Sequence, residues 1–182
     1  MKIPLAMLMV MALATASGAQ QTATGATPSA SRTASGDNAF AMKAGQANLA
    51  EIELGKLALQ KTTTDDVKKF AQMMVDDHSK ALDELKGIAA KKNITLPTEL
   101  DAEHKKLSDR LSKSSGAEFD RMYIQAMVDG HKQVASELRK ESQSGSDSDF
   151  KAWAAKTLPT VEAHLKQAET INKSVHSGRT PH

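Results

Sequence analysis

Phe70-Ala-Gln-Met-Met-Val-Asp-Asp-His78-Ser-Lys-Ala-Leu-Asp-Glu-Leu85 aligns without gaps on Tyr123-Ile-Gln-Ala-Met-Val-Asp-Gly-His131-Lys-Gln-Val-Ala-Ser-Glu-Leu138, with seven of 16 positions identical and both histidines in register. In each copy the apolar side chains recur at alternating steps of three and four, the period of a helix buried along one face. A repeated helix of this kind predicts a bundle with pseudo-twofold symmetry, and it puts His78 and His131 in related surroundings.

The same periodicity extends outward. Four long helices are predicted, over about 38–61, 64–91, 117–141 and 149 into the 170s, with Asp37 as the first N-cap. Asn93-Ile-Thr-Leu-Pro97 breaks the chain, and a short helix over about 98–113 follows it. Residues 142–148 read as a loop, and Pro159 predicts a bend because proline removes a backbone donor. Apolar alternation and turn-bounded β-branched runs are missing, so no strand is expected. The expected fold is all-α, an antiparallel four-helix bundle with an extra short helix between the second and third long ones.

Ahead of the bundle, residues 1–19 read as a signal peptide: Lys2, an apolar run, and a small-residue cleavage site at Ala14-Thr-Ala16 or Ser17-Gly-Ala19. The run falls short of the roughly 20 residues of a spanning helix. Residues 20–36, small and polar, read as a disordered spacer, 37–176 as the bundle domain and 177–182 as a disordered tail. A periplasmic or otherwise extracytoplasmic location follows, with no transmembrane segment once the signal is removed. Without cysteine, stability must come from packing, and thiolate metal and redox motifs are excluded. Lys+Arg 24 against Asp+Glu 22, interspersed in sign, and 3% aromatics exclude a nucleic-acid partner.

The buried seams carry the chemistry. They read Phe40, Ala44, Ala47, Glu51, Leu54, Ala58; then Val67, Ala71, Met74, His78, Ala81, Leu85, Ile88; then Phe119, Tyr123, Met127, His131, Val134, Leu138; then Phe150, Ala154, Thr157, Val161, His164, Ala168, Ile171. Each holds one ligand-type side chain near its middle, and the four heights differ by only about 4–6 Å. Glu51, His78, His131 and His164 are therefore expected to converge, with Asp77 as an outer or extra ligand. Imidazole and carboxylate from facing helices are how bundles build metal sites. The plainer alternative is a set of hydrogen-bonded polar groups that fix helix register.

At these residues the chain resembles a known family. Asn48-Leu-Ala-Glu-Ile-Glu-Leu-Gly-Lys-Leu-Ala58, Met74-Val-Asp-Asp-His78, Phe119-Asp-Arg-Met-Tyr-Ile-Gln-Ala-Met-Val-Asp-Gly-His131 and Leu158-Pro-Thr-Val-Glu-Ala-His-Leu165 occur in the order of the DUF4142 family. The resemblance implies an exported, ferritin-like four-helix bundle described as an outer membrane protein, and it implies no established activity. Glu-x-x-His pairs of di-iron bundles are not matched, because Val75, Val128 and Val161 stand three before the histidines. Asp76, Asp129 and Glu162 stand two before, about 200° around the helix, and are expected to face outward. The family commonly has Asp before the third-helix histidine, where this chain has Gly130. A histidine-rich mononuclear site suits Zn, Cu or Ni better than Fe. His104, His176 and His182 read as solvated surface, and Met73, Met74, Met122 and Met127 as core filling. Two functions are expected to compete: binding or handling of a transition metal in the cell envelope, and a non-enzymatic structural or interaction role. No motif names a catalysed reaction.

Overall fold

The computed structural model describes residues 28–177, with side chains from residue 36. Five helices follow one another: α1 (Pro28–Lys61), α2 (Asp65–Lys91), α3 (Ala102–Ser112), α4 (Gly116–Ser144) and α5 (Ser148–Ser177). The four long ones form the expected antiparallel bundle. α1 packs chiefly on α2 and α4 on α5, and the short α3 lies against α1 and α4. Among the described residues no helix is long and apolar enough to cross a membrane. The signal peptide at 1–19, the spacer as far as residue 27 and the tail from residue 178 lie outside the described residues.

Boundaries differ from expectation at three places. α1 begins at Pro28, not near Asn38, so residues 28–36 of the expected spacer are helical. Proline's fixed φ suits a first helical turn, and Asp37 is not a cap. Its buried carboxylate instead accepts a hydrogen bond from Ser146 N at 3.1 Å, across the bundle. α3 starts only after Asp101, whose side chain accepts from His104 N. α4 runs on to Ser144, with the hydroxyls of Ser142 and Ser144 bonded back to Arg139 O and Lys140 O. α5 passes through Pro159 as one uninterrupted helix. The lost donor falls on an exposed face, where water can serve the freed carbonyl.

Turn chemistry closes the hairpins. Asn93 adopts a left-handed φ of 57°, tolerated by asparagine, and Ile94 N returns to Ala89 O at 2.9 Å. Gly55 lets α1 approach α2 closely, because a Cβ there would lie 2.9 Å from Val75 Cγ2 and 3.1 Å from Ala71 O.

The core is divided in two. One apolar cluster joins Phe40 and Ala44 to Leu82, Leu85, Leu138, Phe150, Trp153 and Val161. The other joins Leu54 and Ala58 to Phe70, Met74, Phe119, Tyr123, Met127, Ala168 and Ile171. Each cluster draws on all four long helices, and the sequence levels between the clusters are those of Glu51, His78, His131 and His164.

At one end of the bundle Glu141 on α4 is buried with Oε1 unpartnered. Burial and the neighbouring Asp37 push its carboxyl up to about 7. The folded chain therefore holds this proton where the unfolded chain, titrating near 4.5, has lost it. The stability from that proton is complete below pH 4.5 and is lost as pH rises through about 7. Glu141→Gln cannot lose it. The variant should match wild type near pH 5 and exceed it above pH 7.5, by about 1–2 kcal/mol after allowance for screening by nearby solvent. Melting curves of both proteins across this range check the crossover. Parallel curves would contradict it.

Candidate metal centre

The three seam histidines meet. His78 on α2, His131 on α4 and His164 on α5 are 5%, 1% and 2% exposed. Their ring centroids lie 5.5, 5.5 and 5.6 Å apart. One ring nitrogen from each lies within 4.8 Å of the other two. Ligands of one ion at about 2.0–2.1 Å would be roughly 3.5 Å apart, so small side-chain rotations are enough to close the set.

Hydrogen bonds fix the tautomer of each ring. Asn48 Nδ2 donates to Ala44 O at 2.8 Å, which leaves Oδ1 to accept from His78 Nδ1–H at 2.9 Å. His131 Nδ1–H donates to Met127 O, also at 2.9 Å. His164 Nε2–H donates to Asp77 Oδ2 at 3.1 Å. The remaining nitrogens, His78 Nε2, His131 Nε2 and His164 Nδ1, are buried without any partner. Each is therefore a bare lone pair, the state a metal ligand requires. Thus every histidine has a separate partner on one nitrogen, as the plainer alternative expects, and is orphaned on the other, as it does not.

Electrostatics keeps His78 and His164 ready. Burial, then the neighbouring His131 and His164, hold the His78 imidazole well below its usual range. Burial likewise lowers His164, against the pull of Asp77. Protons therefore compete weakly for the lone pairs of His78 and His164 near neutral pH.

The two carboxylates occupy different ground from the histidines. Glu51 lies behind His131, with Oε1 3.6 Å from Nδ1, the nitrogen already committed to Met127. It is not among the three residues that converge. Burial raises its carboxyl, with His131 and then His104 opposing the shift, and Oε2 has no partner. Asp77 stands outside His164 and also faces Lys80 at 3.6 Å. Asp76, Asp129 and Glu162 are exposed, as the helix angle requires. Asn48, which sets the His78 tautomer, is absent from the sequence-derived site. Its signal was the three-residue spacing to Glu51, which puts both on one face of α1. His104 is half-buried and bonded to Asp101 rather than freely solvated, and His182 lies outside the described residues.

Comparison with solved structures gives the same architecture. The chain is similar to CopM in the Cu(I)-bound form, at 17% identity and a TM-score of 0.64, over 76% of this chain and 96% of that one. It is similar to CopM in the Ag-bound form at 19% and 0.63, and to CopM in the Cu(II)-bound form at 18% and 0.65, with the same coverage. No curated protein matches. The profile of DUF4142, a domain of unknown function, matches residues 19–171, and the chain belongs to that family.

Proposed function

We propose that this protein is a metal-handling bundle of the cell envelope that holds one soft transition-metal ion between His78, His131 and His164. The observation that carries the reading is the set of three orphaned ring nitrogens. A buried polar atom without a partner costs roughly 1–3 kcal/mol, and three of them on adjacent buried rings are otherwise unexplained. Imidazole donors suit copper and zinc alike. Charge separates the two. A monovalent ion on three neutral ligands leaves one positive charge, which the buried Glu51 carboxylate can balance, whereas a divalent ion would lean also on Asp77, a part-exposed carboxylate shared with Lys80. Cu(I), with Ag(I) as its redox-inert stand-in, is the favoured cargo on this charge argument; the likeness to bundles solved with Cu(I), Cu(II) and Ag supports copper without choosing its oxidation state.

The runner-up is a structural protein whose polar layer only orders the core, favoured by the separate partner that each histidine does possess. Untagged protein isolated from the envelope fraction, followed by elemental analysis and titration, separates the two. One equivalent of Ag(I) or Cu(I) per chain, bound more tightly than Zn(II), is expected. Protein that arrives free of metal and stays inert to all three ions would leave the structural reading standing.

A further inference from the structure

The three histidines are at most 5% exposed, so an ion needs a way in. We infer that the groove between α1, α3 and α4 is the port through which a cation reaches them, with Glu137, Glu103 and Asp101 at its rim and Glu51 at its floor. This inference rests on the metal reading above and adds the route.

The groove is a cavity of about 280 Å³, bordered by Glu51, Asp101, Glu103, His104, Gly130 and Glu137 among others. Four of those six are acidic, and facing them are Lys43, 4.0 Å from Glu137, and the imidazole of His104. Acidic walls alone are common on protein surfaces. Here they lead to a carboxylate that is itself 6% exposed, with Oε2 unpartnered and Oε1 3.6 Å from His131.

Beside the groove lies a second void of about 20 Å³, the space of one water-sized sphere. It touches His78 and Asn48 and shares the walls Ala47, Val134 and Glu137 with the groove. A cation could therefore pass from carboxylate to carboxylate and then to imidazole, exchanging its water in steps.

Gly130 keeps the floor open. It immediately precedes His131, and a Cβ there would stand 3.5 Å from Glu51 Oε1. An added methyl is ordinary contact, but a longer side chain would fill the passage. Glycine inside a helix is unfavourable against alanine, which is consistent with a use for the space.

The chain's single tryptophan, Trp153, lines the inner void with His78, so its fluorescence can follow arrival. The experiment mixes metal-free full-length protein with Ag(I) in stopped flow and measures the equilibrium affinity separately. In Gly130→Leu the association and dissociation rates should both fall at least about tenfold, with Kd kept within about threefold, as for a barrier placed outside the ligands. In Glu137→Lys, a change at the half-exposed rim that adds no bulk beside His131, association should slow by about tenfold at low ionic strength and recover in high salt. Folded Gly130→Leu that loads at the wild-type rate overturns the port, as does a Glu137→Lys rate equal to wild type at every salt concentration. Wild type that binds no Ag(I) at equilibrium overturns the metal reading and the port together. Normal equilibrium binding with unchanged kinetics in the variants removes the port alone.

Discussion

Stripped of metal by a chelator, wild-type protein is expected to melt about 5–11 °C higher once Ag(I) reaches a hundredfold excess over Kd. Binding to the folded state alone contributes about 2.7 kcal/mol at that ratio, and a domain of this size shifts by about 2–4 °C per kcal/mol. His78→Ala/His131→Ala should lose the shift entirely, because the one nitrogen left cannot hold the ion in an apolar core. Asn48→Leu tests the outer layer. His78 would lose the acceptor that keeps its proton on Nδ1, and affinity should fall by about 10–100-fold with the three ligands intact. Asp77→Asn should act in the same direction through His164. Isothermal titration with Ag(I), alongside melting curves, reads all of these. Full affinity in the double variant would move the site elsewhere.

Without metal, Glu51→Met/His131→Leu is expected to be more stable than wild type, by about 1–4 kcal/mol. Buried ionisable groups replaced by apolar ones of similar size often stabilise a fold to this extent. Both replaced residues leave atoms unpartnered, Glu51 Oε2 and His131 Nε2. The bond lost, from His131 Nδ1 to Met127 O, goes to a carbonyl of its own helix. Chemical denaturation at neutral pH measures the difference. Stabilisation together with lost Ag(I) binding identifies residues kept for a ligand at the fold's expense. Destabilisation by more than about 1 kcal/mol would instead make the cluster a device for ordering the core.

Much of this was legible in the sequence because it rests on a single period. Steps of three and four defined the seams, counting along helices set the heights, and the repeat tied His78 to His131. Glu51 and Asn48 were harder. Both lie on one face of α1, and which of them meets His78 depends on a rotation of that helix too small for apolar periodicity to fix. The tautomers of His78 and His164 depend on partners 30 and 87 residues away, and no local pattern encodes them. The early start of α1 was hidden for a similar reason. Asp37 carries the local signature of a cap, while its actual bond is to Ser146, 109 residues on. His104 looked solvated because its helix is charged, and only the packing of α3 on α1 and α4 puts it beside a groove.

The divided core bears on how the molecule comes apart. Two apolar halves, each built from all four long helices, meet across a layer whose imidazoles contribute few attractive contacts to either side. Such a boundary is where local opening begins, since proteins open in cooperative units that follow their packing. In the metal-free chain, amide protons of the half holding Phe40, Leu85 and Trp153 should exchange on a different schedule from those of the half holding Phe70, Phe119 and Ile171. An ion joining α2, α4 and α5 would tie the two schedules together, so that loading reads out as a gain in cooperativity as well as a higher melting point.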